Sequence, residues 1–158
     1  MSICCFWNNK GGTGKTSLAF QALCRWAEQH PQQQVLAIDM CPQANLSELL
    51  LGGLTNDGAD NLLRLQGQTP RATIGGYFQL RLPSAYTDPK NNSADFVTKP
   101  SRFNAQIPDN VDLVCGEPML ELQVNAMSTT GRRTPTGASG YVHSLTLSSC
   151  KGSVPHAA

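Results

Sequence analysis

The chain has 158 residues, a length that suits one domain with a hydrophobic core and is short for two. Hydrophobic residues make up 40% of the chain and charged residues 15%, which argues against wholesale disorder. The formal net charge of +1 gives no global attraction to nucleic acid or to an anionic membrane. Any partner of that kind would have to be bound through a local patch.

The composition also bears on the cellular compartment. No apolar run approaches the roughly 20 residues of a membrane span, and the apolar N-terminal stretch has no positively charged flank. We therefore expect a cytoplasmic protein with no membrane partner. No CxxC and no Cys/His zinc spacing occurs, which predicts reduced, buried thiols rather than a disulfide framework or a metal site. The cysteines are Cys4, Cys5, Cys24, Cys41, Cys115 and Cys150.

The first 53 residues predict alternating strand and helix. The apolar run Ile3–Trp7 precedes a glycine-rich turn, which is typical of a strand buried on both faces of a parallel sheet. Apolar residues at spacings of three and four predict a helix from Lys15 to about Gln29, ended by His30-Pro31. Val35–Ile38 predicts a second buried strand that delivers Asp39 at its carboxyl end. Together these elements predict a β-α-β unit with a right-handed crossover.

The remaining elements are predicted from shorter signals. Thr73–Leu82 is a candidate helix despite two internal glycines, Val111–Val114 a candidate third strand, and Met119–Met127 a candidate short helix. Residues 128–158 are rich in Ser, Thr, Gly and Pro and contain no acidic residue. Such a composition predicts a flexible tail.

A glycine-rich stretch, Asn9–Ser17, lies between the first predicted strand and the first helix. A bound triphosphate needs inward-pointing backbone N–H groups, a helix N-terminus, a flexible cation and a hydroxyl for magnesium. The glycines permit close approach of the backbone, Lys15 supplies the cation, and Thr16 supplies the hydroxyl. The candidate nucleotide-binding residues are Lys10, Gly11, Gly12, Thr13, Gly14, Lys15, Thr16 and Ser17.

The stretch departs from the ordinary P-loop, because Asn9 stands where a glycine is usual and Lys10 follows it. The pattern Lys-Gly-Gly-x-Gly-Lys-Thr resembles the deviant Walker A box of the ParA/MinD superfamily of P-loop ATPases. The resemblance implies an α/β fold with a P-loop NTPase-like parallel sheet flanked by helices, and ATP and Mg²⁺ as cofactors. It also implies an ATP-dependent homodimer in which Lys10 reaches the nucleotide held by the partner subunit. The guanine signature Asn-Lys-x-Asp does not occur, which favours ATP over GTP.

The segment Asp39–Ser47 looks like the switch segment of ParA proteins, and Pro42, Gln43 and Asn45 narrow the resemblance toward partition proteins and away from MinD. By this resemblance Asp39 lies near the magnesium ion and its waters. The predicted metal residues are Thr16 and Asp39, and the predicted catalytic residues are Lys10, Lys15 and Asp39.

Cys41 stands where the family usually has a second aspartate that helps to organise the attacking water. A thiol is a poor substitute for a carboxylate in that task. The sequence therefore leaves open whether ATP is hydrolysed, and a packing role for Cys41 is an equal alternative.

The resemblance extends to about Met127. We therefore expect residues 1–127 to form the N-terminal part of a ParA-like ATPase domain, truncated before the Walker B strand, with 128–158 as a disordered tail. The function that the resemblance implies is a nucleotide-switched dimer in plasmid or chromosome partition, stimulated by a ParB-like protein and binding DNA without sequence preference. The alternative is a truncated, non-hydrolysing nucleotide-binding fragment without partition activity.

Two related functions are disfavoured by the sequence. A nitrogenase iron-protein-like reductase shares the lysine-containing P-loop but needs two cluster cysteines, and Cys115 has no matching downstream partner. A MinD-like membrane role needs a basic amphipathic C-terminal helix, whereas Thr134–Ala158 contains a proline and several glycines.

Overall fold

The computed structural model of the chain describes residues 2–8, 10–81 and 93–123. Four α-helices, two strands and two short 3-10 helices are defined in these ranges, and residues 119–123 are also helical. In chain order the elements are α1 (Lys15–Gln29), β1 (Val35–Ile38), α2 (Asn45–Leu50), α3 (Gly58–Gln66), α4 (Ile74–Arg81), 3-10 helices at Ser93–Phe96 and Pro100–Arg102, and β2 (Val111–Val114).

The sheet of the described residues consists of β1 and β2, which run parallel with Val35 opposite Val111 and Ile38 opposite Val114. On β2, Leu113 also forms an antiparallel bridge to Thr98. Helices connect the two parallel strands, as the long crossover of a parallel pair requires. This arrangement confirms the predicted α/β class.

The hydrophobic core lies between the sheet and helices α1 to α3. From β2 it takes Val111 and Leu113, which are fully buried, and from α1 it takes Ala27. Helices α2 and α3 complete the core with apolar side chains, of which the buried ones are Leu50, Leu62 and Leu65. A smaller cluster of Ile74, Val114 and Leu120 packs beside it.

Asn110 joins the C-terminal end of α1 to the start of β2. Its side-chain amide donates to the carbonyl oxygens of Ala27, His30 and Gln33 at 3.1, 3.1 and 2.8 Å. The last carbonyls of a helix have no partner inside the helix. A buried amide that is remote in sequence therefore closes this helix end.

A second polar contact explains Gly75 in α4. The carboxylate of Glu117 is buried and lies 3.3 Å from the Arg71 guanidinium. A Cβ atom at Gly75 would overlap that carboxylate. The Gln123 amide donates to the Gly75 carbonyl at 2.8 Å. Glycine lowers helix stability, and here it lets α4 pack closely against residues 117–123.

The prediction of a strand at Ile3–Trp7 is wrong. Residues 2–8 have no regular secondary structure, and Ile3 and Trp7 are 78% and 79% exposed. A strand exists only through ladder pairs with a neighbour, and in the described part of the chain β1 pairs with β2 alone. Apolar composition cannot supply that neighbour, so the predicted β-α-β unit with α1 as its crossover is not formed.

The prediction of full burial for the strand at Val35–Ile38 is also wrong, although its bounds are confirmed. Ala37 is buried, whereas Leu36 and Ile38 are half exposed. Alternate residues of a strand point to opposite faces, and one face of β1 is uncovered by the described residues. An apolar run alone does not show how many faces of its strand are covered.

The bounds of three other predicted elements agree with the structure. These are α1 as a whole, β2, and α4 except at its two ends, because Thr73 forms a bridge to Cys115 before the helix and Leu82 lies outside the described residues. The candidate helix at Met119–Met127 is helical over residues 119–123, and its remainder lies outside the described residues, as do residues 128–158.

Candidate functional site

The loop before α1 leaves the helix N-terminus open. Gly12 and Gly14 have φ angles of 72° and 75°, in the left-handed region that favours glycine. A Cβ atom at Gly11, Gly12 or Gly14 would meet nothing within 4 Å. Gly14 is the N-cap residue of α1, and no side chain caps this end by a hydrogen bond. The first N–H groups of α1 are therefore available to an external acceptor.

The side chain of Lys15 contacts the backbone of Lys10 in this loop. The Lys15 ammonium donates to the carbonyl oxygen of Lys10 at 3.3 Å, and the Thr13 hydroxyl donates to the same oxygen at 3.4 Å. The Lys10 amide donates to the Asn8 side chain at 2.9 Å. The first turn of α1 contains no acidic residue. The loop thus places positive charge at the positive end of the helix dipole.

These residues fit the phosphate groups of a nucleotide. Free N–H groups, a helix N-terminus, a nearby ammonium and open space above the glycines are what phosphate binding requires. Within the described ranges no cluster of three or more His, Cys, Asp or Glu could hold a metal ion by itself. Magnesium usually binds through substrate phosphates and few protein groups, which suits the Thr16 hydroxyl at the start of α1.

Asp39 directly follows β1 and is buried. Its Oδ1 accepts a hydrogen bond from the Cys41 amide at 3.1 Å, and its Oδ2 accepts from the Ser47 amide at 3.0 Å and the Ser47 hydroxyl at 2.8 Å. These bonds tie the end of β1 to the first turn of α2. Within the described residues the carboxylate bonds only to Cys41 and Ser47 and forms no hydrogen bond to the glycine-rich loop.

The 40–46 segment packs tightly against Gly116, which follows Cys115. A Cβ atom at Gly116 would lie 2.7 Å from the Cys41 carbonyl oxygen and 3.1 Å from the Ala44 side chain. The Gly116 amide donates to the Ser47 hydroxyl at 2.9 Å. Ala44 has a φ angle of 52°, which is uncommon for a residue with a side chain. The segment is therefore fixed from both of the strand ends.

The sequence did not assign a role to Ser47 or Gly116, although Ser47 belongs to the segment that carries the resemblance. The spacing of Asp39 and Ser47 is a usable signal, because a hydroxyl in the first turn of a helix is placed to bond a carboxylate before it. No sequence pattern marks Gly116, because the requirement for a small residue at this position comes from a contact between distant parts of the chain.

The cysteines differ sharply in environment. The prediction of buried thiols is confirmed for Cys115 and wrong for Cys4, Cys5 and Cys41, which are exposed. Burial, and secondarily the charge of Asp39, raises the pKa of the Cys115 thiol to about 12. The thiolate is the reactive form of cysteine, so Cys115 is inert near neutral pH in the folded chain.

We expect a thiol reagent at pH 8 to label Cys41 at least about a hundredfold faster than Cys115, because Cys115 is both shielded and almost entirely protonated. Peptide mapping by mass spectrometry after timed labelling measures both rates. In denaturant the two rates should converge. Comparable rates in the folded chain would contradict the structure of the 39–47 and 115–116 region.

One cavity of the described structure lies elsewhere. It has a volume of about 580 Å³ and contains none of the predicted site residues; its lining includes Gln66, Arg71, Gln79 and Leu80. Within the described part of the chain, no helix has the length and apolar character needed to cross a membrane.

Comparison with known proteins gives a family match that includes the open N-terminus of α1. Residues 4–144 match the family model of the CobQ/CobB/MinD/ParA nucleotide binding domain. No curated protein and no solved structure gives a significant match. The matched range contains the glycine-rich loop, Asp39 and both strands. With most of its length matched, the chain belongs to the CobQ/CobB/MinD/ParA nucleotide-binding family.

Proposed function

We propose that the chain binds ATP with Mg²⁺ through residues 10–17 and acts as a nucleotide-switched dimer in plasmid or chromosome partition. The observation that carries the nucleotide-binding part is the uncapped N-terminus of α1 behind a loop with two left-handed glycines. Membership of a nucleotide-binding family supports the same part. The partition role rests on the resemblance of residues 39–47 to the ParA switch segment.

The roles proposed for residues of the loop follow from the charge of each group and from the distance that its side chain can span. Backbone N–H groups of the loop and the first turn of α1 bind phosphate oxygens, and Lys15 turns from the Lys10 carbonyl to the terminal phosphates. Thr16 supplies the hydroxyl ligand of Mg²⁺, and Asp39 holds the ion or its waters from the carboxyl end of β1. Bound Mg²⁺ neutralises phosphate charge and orients the nucleotide.

The experiment that tests nucleotide binding is a calorimetric titration of the full chain with Mg-ATP. Lys15→Ala should weaken binding at least about tenfold, or about 1.4 kcal/mol, because the loop loses its cation at the terminal phosphates.

Arg25→Ala is the matched control for that titration. Arg25 lies on the same helix, is exposed, and pairs only with Glu28 among the described residues, at 3.3 Å. Its removal should leave the affinity unchanged, since exposed ion pairs contribute little. Equal affinity of the wild-type chain and Lys15→Ala would refute the assignment of the loop.

Lys10 has a different proposed role. Its side chain is exposed, while its backbone carbonyl accepts the hydrogen bonds that shape the loop. An exposed ammonium beside the bound nucleotide is available to the nucleotide of a second copy of the chain.

We expect Lys10→Ala to keep the ATP affinity of the monomer within about threefold while abolishing ATP-induced dimers, because the backbone contacts that shape the loop do not need this side chain. Light scattering with and without Mg-ATP measures the dimer, and calorimetry measures the affinity. Dimers that persist in the variant would rule out the nucleotide-sandwiched arrangement.

The alternative function, a nucleotide-binding chain that does not hydrolyse ATP, is favoured by one observation. Cys41, an exposed residue two positions after Asp39 in the switch-like segment, supplies a thiol rather than a carboxylate. Counting phosphate released from ATP, with and without a ParB-like protein and DNA, separates the two functions. We place either activity in the cytoplasm.

A further inference from the structure

The carboxylate of Asp39 is held unequally at its two oxygens. Oδ2 accepts two hydrogen bonds, from the amide and the hydroxyl of Ser47, whereas Oδ1 accepts one, from the Cys41 amide. Each carboxylate oxygen has acceptor capacity for about two bonds. The capacity of Oδ2 is therefore filled by Ser47, and one acceptor position remains on Oδ1.

The direction of the Ser47 hydroxyl proton follows from the contact of its oxygen with Gly116. The Gly116 amide donates to Ser47 Oγ at 2.9 Å, so the oxygen is the acceptor in that bond. The hydroxyl proton is then directed to Asp39 Oδ2 at 2.8 Å. Ser47 is fully buried, which strengthens both bonds by excluding water. The hydroxyl thus links the residues that follow β1 and β2.

We infer that Ser47 is a positioning residue for Mg²⁺: by filling Oδ2 it fixes the Asp39 carboxylate so that Oδ1 is the oxygen presented to the ion or its water ligands. The inference rests on the proposed function, because it concerns the Mg²⁺ of the proposed ATP site. Ser47 itself touches neither the ion nor the nucleotide.

Removal of the Ser47 hydroxyl leaves Oδ2 with one donor and the Gly116 amide without its acceptor. Each oxygen then accepts one bond from a backbone amide, so Oδ2 gains an open acceptor position like that of Oδ1 and Oδ1 is no longer the one oxygen left for the ion. The phosphate contacts of residues 10–17 do not involve this network. The loss should therefore affect the gain in ATP affinity that Mg²⁺ provides and spare the affinity measured without Mg²⁺.

The test measures ATP affinity by calorimetry in the presence of Mg²⁺ and in EDTA, for the full wild-type chain and Ser47→Ala. We expect Ser47→Ala to reduce the Mg²⁺-dependent gain in affinity at least about fivefold, with the affinity in EDTA within about twofold of wild type. Ser101→Ala, in the 3-10 helix Pro100–Arg102, is the matched control and should leave both values unchanged.

Ser47→Cys is measured in parallel, because its thiol has the same shape as the hydroxyl and fills the space that Ser47→Ala leaves empty, which provides a second variant if Ser47→Ala does not fold. A thiol is a weak donor, so the same reduction is expected. An unchanged Mg²⁺ gain in a folded variant overturns the inference. Equal losses with and without Mg²⁺ also overturn it, since they indicate a purely structural role. Absence of ATP binding by the wild-type chain instead overturns the proposed function, and the inference with it.

Discussion

Asn110→Asp is expected to lower the free energy of unfolding by about 4 kcal/mol. The wild-type amide donates to the carbonyl oxygen of Ala27 in the last turn of α1 and to those of His30 and Gln33 after the helix. A carboxylate of the same shape cannot donate, and it places a buried negative charge beside those oxygens and the negative end of the helix dipole. Denaturant-induced unfolding followed by circular dichroism measures the loss.

Two companion variants separate charge from lost hydrogen bonds. Asn110→Ala should cost about 2 to 3 kcal/mol, less than the aspartate, because it removes the donor without burying a charge. Asn45→Ala is the surface control, since its exposed side chain donates only to Gln43 among the described contacts, at 3.3 Å. A smaller loss for Asn110→Asp than for Asn110→Ala would show that this side chain is not buried against the helix end.

Gly116→Ala is expected to destabilise the fold by about 2 to 3 kcal/mol and to weaken ATP binding in the same variant. The added Cβ would lie 2.7 Å from the Cys41 carbonyl oxygen and 3.1 Å from the Asp39 carbonyl oxygen. Both atoms belong to the backbone, so relief requires movement of the 39–44 segment. That movement would disturb the bond from the Gly116 amide to Ser47 as well.

Gly67→Ala is the matched control for Gly116→Ala. Gly67 ends α3 with a φ angle of −80°, and a Cβ there would make ordinary contacts at 3.4 and 3.6 Å. This substitution should be neutral or slightly stabilising, because it reduces the conformational freedom of the unfolded chain. Thermal unfolding of both variants and calorimetry with Mg-ATP give the comparison. Similar behaviour of the two variants would contradict the close approach at Gly116.

Local sequence is sufficient to predict the glycine-rich loop. The glycines and lysines of the loop and the amphipathic helix that follows it are neighbours in the chain, so the sequence predicts the open start of α1. The role of Asp39 was harder to predict, because a carboxylate at a strand end can bind a metal or bond its own chain. In the structure the Asp39 carboxylate bonds to Cys41 and Ser47, and its role toward Mg²⁺ stays a prediction.

Local periodicity determined the bounds of α1, β1 and β2, because each depends on side chains within one element. The tertiary structure alone decided that Ile3–Trp7 is not a strand and that one face of β1 stays open, since pairing and burial need a neighbour that no local pattern specifies. It also decided which distant groups meet: Asn110 at the end of α1, and Gly116 with Ser47. Such contacts join residues many positions apart, and only the folded chain brings them within hydrogen-bond distance.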